Sequence, residues 1–95
     1  MQNCKISLAI CTCDRHSSLR DTLNSLIKIE YPTQDYEIII VDNSDKVDEK
    51  EKSLIEKLIN KFSNIFYFHQ PKSKSLSENR NICIEKSKYN YIHFI

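Results

Sequence analysis

Four short apolar runs alternate with three amphipathic stretches along the chain. The first run, Lys5 to Cys13, is a near-continuous series of β-formers bounded by charge, which suits a central parallel strand covered on both faces. Ser17 or Ser18 then offers a helix cap, with Arg20 and Asp21 in the first turn. Leu19, Leu23, Leu26 and Ile27 follow at the i, i+4, i+7, i+8 spacing of one helix face, and Pro32 ends that helix. Glu37 to Val41 is β-branched and predicts a second buried strand. Asp42, Asn43, Ser44 and Asp45 form a polar turn, because such side chains bond their own backbone. Asp48 to Phe62 predicts a second helix, with Leu54, Ile55, Leu58, Ile59 and Phe62 inward and the Glu and Lys residues in water. Asn64 to Phe68 is a third strand and His69 to Ser75 a loop. Ser77 to Lys88 is a third helix, capped by Ser77, with Leu76, Cys83, Ile84 and Ser87 inward. Asn90 marks a turn, and Tyr91 to Ile95 is a fourth strand.

The resulting β-α-β-α-β-α-β order predicts an α/β, Rossmann-like parallel sheet with helices on both faces. In such sheets ligands sit outside the carboxyl ends of the strands, where strand order reverses. Three strand exits therefore carry the candidate chemistry: Thr12 to Arg15, Asp42 to Asp45, and His69 to Ser75.

Composition narrows the choice of chemistry. The chain has 95 residues, the size of one small domain. Its net charge of +1 gives no electrostatic case for nucleic acid or an anionic membrane. No apolar run approaches a membrane span, and no secretory leader is recognisable, so a cytosolic location is the default expectation. The four cysteines, Cys4, Cys11, Cys13 and Cys83, form no C-x-x-C pair and are expected as free thiols. Cys11, Cys13 and His16 do not have a usual zinc spacing. There is no glycine at all. That excludes the Walker A loop and the G-x-G-x-x-G fingerprint, so any bound nucleotide must be held by side chains and ordinary backbone.

Three stretches in order resemble glycosyltransferase family 2, the inverting GT-A group that uses nucleotide-diphosphate sugars. Ile6-Ser7-Leu8-Ala9-Ile10-Cys11-Thr12-Cys13-Asp14-Arg15 resembles the family's opening strand and its Thr-x-(Asn/Asp)-Arg exit. Ile40-Val41-Asp42-Asn43-Ser44-Asp45 is similar to its Val-Asp-Asn/Asp-(Gly)-Ser turn. Leu76-Ser77-Glu78-Asn79-Arg80-Asn81, followed by Tyr91 to Ile95, is similar to its Leu-x-x-Ala-Arg-Asn helix and the strand leading to an acidic metal motif. The resemblance covers nearly the whole chain but only the first part of the family's catalytic domain, and the family's usual glycines near Ser75 and Ile82 are missing.

The resemblance implies a binding set for the donor nucleotide. Thr12 lies beside the base, with Arg15 near the base or the diphosphate, and Asp14 stands between them in the same exit. Asp42 accepts from a base N–H or a ribose hydroxyl, and Arg80 stacks on the base or pairs with the diphosphate. The side chains of Thr12, Asp42 and Arg80 are expected to converge on one pocket. A UDP-type sugar is the implied donor, and a carbohydrate or lipid-linked hydroxyl the implied acceptor. A divalent cation, Mg²⁺ or Mn²⁺, is implied in the full-length enzyme, with its ligands and the general base beyond Ile95. On this reading the chain is the donor-binding part of a transferase and inactive alone. The alternatives are a non-enzymatic α/β binding module and a truncated, inactive gene product.

Overall fold

The computed structural model describes residues 5–13, 16–26, 28, 32–44, 46, 49–71 and 75–95. The elements run β1 (Ile6–Thr12), α1 (His16–Leu26), a 3₁₀ turn (Thr33–Asp35), β2 (Tyr36–Asp42), α2 (Glu49–Lys61), β3 (Ile65–His69), α3 (Leu76–Lys86) and β4 (Tyr91–Phe94). The strands form one parallel sheet in the order β3-β2-β1-β4. The chain steps outward from β1 through β2 to β3, then crosses back to the far side of β1. Strand order therefore reverses between β1 and β4, the switch point of this sheet.

Alternation along the strands sorts the core into two layers. Ile10, Ile38, Ile40 and Ile65 face one side, where Leu19 and Leu23 of α1 and Ile55 and Leu58 of α2 cover them. Ala9, Ile39 and Val41 face the other, where α3 contributes Cys83. A fully buried Leu or Ile contributes about 1.5–3 kcal/mol. The nine buried residues under α1 and α2 thus outweigh the four under α3. All seven residues of β2 are buried, as its β-branched run requires of a strand covered on both faces.

Several local expectations are corrected. Helix α1 begins at His16, which places Ser17 and Ser18 inside its first turn and not at its cap. Ile27 lies outside the described residues. Helix α3 is capped by Ser75 and not by Ser77: the Ser75 hydroxyl accepts the Glu78 backbone N–H at 3.0 Å. Ser75-x-x-Glu78 is a capping-box pattern that was visible in the sequence. Ile59 and Ile84 are exposed, although both were expected inward. Glu51, expected on the wet face of α2, is fully buried. It shares the stripe of Ile55 and Leu58 at i, i+4, i+7, and the Arg20 guanidinium of α1 reaches it at 3.6 Å. Without glycine, α3 stops on an extended Ser87, whose backbone N–H and hydroxyl both donate to the Cys83 carbonyl, at 2.9 and 2.6 Å.

The amino ends of the strands are closed by a buried carboxylate. Glu37 accepts the Ser7 hydroxyl from β1 and the Lys88 backbone N–H from the α3–β4 connection, both at 2.6 Å. Tyr89 lies beside this junction between the ammonium groups of Lys5 and Lys88 and donates to the Gln34 carbonyl. Two segments remote in sequence, β1 and the α3–β4 connection, are thereby fastened to the start of β2.

Candidate nucleotide-binding site

The carboxyl ends of the two central strands meet in register. Thr12 and Asp42, the last residues of β1 and β2, are direct partners in the sheet. The ladder continues past them, since the Asn43 N–H donates to the Thr12 carbonyl at 3.0 Å and the Gln70 N–H to the Asp42 carbonyl at 2.8 Å. Both side chains are buried, Thr12 with 8% exposure and Asp42 with none.

The Asp42 carboxylate organises the turn that follows it. One oxygen accepts the Ser44 backbone N–H at 2.9 Å, an Asx-turn. The other accepts the Tyr67 hydroxyl of β3 at 2.7 Å. From the next position on the same face of β3, the exposed His69 places Nε2 2.6 Å from the Ser44 carbonyl. A carbonyl oxygen only accepts, so Nε2 carries the proton. Two β3 side chains therefore hold the Asp42–Ser44 turn from the flank. The Tyr67 hydroxyl is raised well above the ordinary phenol range, first by burial, then by its hydrogen bond to Asp42 and the negative charges of Asp42 and Glu51. It stays a donor at any physiological pH. Tyr67 and His69 were not singled out as turn supports. The signal lay in their spacing, since residues 65, 67 and 69 of a strand share one face with residues 38, 40 and 42 of its neighbour.

Arg80 stands elsewhere. It projects from the exposed flank of α3 with its guanidinium 5.3 Å from the centre of the Phe94 ring, on β4. Phe94 packs into the α3-side layer, whereas Tyr67, the partner of Asp42, packs into the α1–α2 layer. Thr12 and Asp42 are brought together; Arg80 sits beside the switch point on the opposite face. Asp14 and Arg15 lie outside the described residues. A cleft of about 380 Å³ opens between α2 and the end of β3, lined by Glu49, Lys52, Ile55, Glu56, Ile59, Tyr67 and His69. It flanks the Asp42 turn, and neither Thr12 nor Arg80 lines it.

One buried polar atom in α3 stands out. Asn79 Oδ1 has no hydrogen-bond partner among the described residues. It occupies the alanine position of the Leu-x-x-Ala-Arg-Asn pattern. Among the described residues no three His, Cys, Asp or Glu side chains gather into a group able to hold a metal ion. No helix among them is long and apolar enough to cross a membrane.

Comparison with known proteins supplies the frame. The chain is similar in structure to S. aureus TarS 1–349, with a TM-score of 0.79 at 22% identity over 96% of this chain and 26% of that one. The same TarS fragment in complex with UDP-GlcNAc matches with a TM-score of 0.79 at 24% identity, again over 96% and 26%. The longer S. aureus TarS chain matches with a TM-score of 0.77 at 24% identity, over 96% of this chain and 16% of that one. These likenesses establish the fold, that of the N-terminal part of a GT-A glycosyltransferase domain. The chain spans about a quarter or less of the structures it resembles. No curated protein matches the sequence. The model of the family described as glycosyl transferase family 2 matches residues 7–95. With nearly every residue inside that match and the two central strand exits aligned, the chain belongs to glycosyl transferase family 2.

Proposed function

We propose that this chain forms the donor-nucleotide pocket of a transferase that moves a sugar from a nucleotide diphosphate to an acceptor hydroxyl. The observation that carries the reading is the register pairing of Thr12 with Asp42 at adjacent central strand exits, within a chain of this family. A hydroxyl and a carboxylate side by side offer a donor and several acceptors, the set needed to recognise the edge of a base and a ribose hydroxyl. The carboxylate oxygens each have capacity beyond the single hydrogen bond they accept here. The complex of the structurally similar TarS fragment with UDP-GlcNAc supports a UDP-type donor.

A second reading is favoured by the full burial of Asp42. In it, Asp42 positions the Asn43–Ser44 backbone, and that backbone meets the nucleotide. The two readings separate in a thermal-shift titration with UDP. Binding to the folded chain raises its melting temperature saturably. If Asp42 touches the ligand, Asp42→Asn abolishes the shift while Tyr67→Phe keeps it. If Asp42 only shapes the turn, both variants weaken it to a similar degree. No saturable shift with UDP or any other nucleoside diphosphate would remove the functional proposal altogether.

A further inference from the structure

Two thiols meet at the switch point of the sheet, outside the nucleotide site. Cys11 Sγ and Cys83 Sγ lie 3.6 Å apart although their residues are 72 positions apart in sequence. Cys11 is the penultimate residue of β1 and Cys83 lies in the second half of α3. Both side chains belong to the α3-side layer, with Ala9, Val41, Ile82 and Phe94 around them. They face away from the Asp42 turn, and no step of nucleotide binding needs either of them.

The pair is asymmetric. Cys83 is fully buried, whereas Cys11 is partly exposed. Burial, helped by the hydrogen bond and charge of Cys11, pushes the Cys83 thiol up to about 12. Cys11 is thus the sulfur that a small solute meets first, with a second sulfur waiting behind it. Disulfide sulfurs lie about 2.05 Å apart, so closing the present gap takes a side-chain movement of about 1.5 Å.

We propose that Cys11 and Cys83 form an intramolecular modification site, oxidised by a hydroperoxide to a disulfide that fastens α3 to β1. The Cys11 thiolate attacks the distal oxygen of the peroxide. The O–O bond breaks, hydroxide leaves and is protonated to water, and Cys11 becomes a sulfenic acid. Cys83 sulfur then attacks Cys11 sulfur. The S–O bond breaks, and the departing hydroxide takes the Cys83 proton as a second water. Each sulfur gives up one electron and the peroxide accepts two. The product joins the strand that ends in Thr12 to the helix that carries Arg80, and a thiol reductant reverses it.

Peptide mapping tests the proposal. The folded 95-residue chain is treated with hydrogen peroxide, its remaining thiols are alkylated in denaturant, and it is digested with trypsin. The expected product links the peptide from Ile6 to Arg15 with the peptide from Asn81 to Lys86 and is lighter by two hydrogens than the reduced pair. Fragmentation is expected to place the bond on Cys11 and not on Cys13. The linked chain is expected to melt several degrees higher than the reduced one, because the bond closes a long loop in the unfolded state. Cys83→Ala is expected to drive Cys11 on to the sulfinic acid, and Cys11→Ser, at the more exposed position, to leave Cys83 fully alkylatable. Recovery of Cys83 as a free thiol after peroxide treatment overturns the proposal. So does a bond from Cys11 to Cys13 or Cys4, or a pairing pattern in the folded chain identical to that of the urea-unfolded chain.

Discussion

Strand β2 carries a buried carboxylate at each end, and the two make nearly the same bonds to different ends. Glu37 accepts one hydroxyl, from Ser7, and one backbone N–H, from Lys88. Asp42 accepts one hydroxyl, from Tyr67, and one backbone N–H, from Ser44. The difference lies in what is joined. The Glu37 partners lie 30 and 51 residues away, so this carboxylate ties together segments that the chain brings home late. One Asp42 partner is two residues away, so this carboxylate shapes a local turn, and only Tyr67 links it to the neighbouring strand. Identical chemistry thus closes the amino end of the sheet and shapes the turn at its carboxyl end, where the proposed nucleotide pocket lies. Burial alone does not make a carboxylate a binding candidate; the strand end it occupies is what proposes Asp42 and not Glu37, because ligands of parallel sheets gather at the carboxyl edge.

The sharpest way to break the comparison is at Glu37. Glu37→Ala leaves the Ser7 hydroxyl and the Lys88 N–H without their acceptor, and a loss of about 2–4 kcal/mol in urea unfolding is expected. Glu37→Gln keeps an acceptor and is expected to lose about 1–2 kcal/mol. An unchanged unfolding midpoint for the alanine variant would show that water replaces the carboxylate at no cost, and the structural half of the comparison would fail.

Next in size is the opposite end. Asp42→Ala is expected to cost about 1–3 kcal/mol through the Tyr67 hydroxyl and Ser44 N–H it strands. Tyr67→Phe removes a single neutral-to-charged hydrogen bond and is expected to cost about 1.5–3 kcal/mol if the bond is fully formed, less if water replaces the hydroxyl. A double-mutant cycle of the two measures their coupling directly. Coupling near zero would mean that Tyr67 does not hold Asp42 in solution.

The pH dependence of stability follows from the same end. The Tyr67 phenol and the Cys83 thiol are both raised on folding, chiefly by burial. A group with a raised folded value contributes its full stability below its unfolded value and loses it as pH rises through the folded one. Stability is therefore expected to be flat from neutral pH to the ordinary thiol range and to fall from there toward about 12, the raised value of Cys83. Unfolding midpoints measured upward from pH 7 check this, and Tyr67→Phe and Cys83→Ala are each expected to flatten the decline. A midpoint that climbs with alkalinity would contradict the burial of both groups.

The elements were legible in the sequence because two periodicities dominate it. The β-branched run from Glu37 to Val41 has no helical alternative, and Leu19, Leu23 and Leu26 repeat at helical spacing. What was not legible depended on side chains met from a third direction. Glu51 looks like a solvent residue until α1 brings Arg20 over it. Ile84 follows the buried Cys83 by one residue, and that step of helical rotation takes it off the sheet. The pairing of Thr12 with Asp42 could be foreseen because both residues end buried strands that a β-α-β order sets side by side. Arg80 could not be placed, because its direction depends on the rotation of α3 about its axis. That rotation is set by Asn79 and Cys83, the inward residues on either side of it.

The smallest expected effect is a gain. Asn79→Ala removes a buried oxygen that has no partner among the described residues and installs a better helix former. A rise of about 0.5–1 kcal/mol in stability is expected. A loss instead would show that the amide is satisfied and that this position does not carry an avoidable cost.

The central claim is that the two ends of β2 divide structure from binding, and a thermal-shift titration with UDP on two single variants tests it most directly. The account predicts that Glu37→Gln lowers the starting melting temperature yet keeps the UDP-induced rise, while Asp42→Ala loses the rise. A UDP response that survives in Asp42→Ala, or that vanishes equally in both variants, would contradict it.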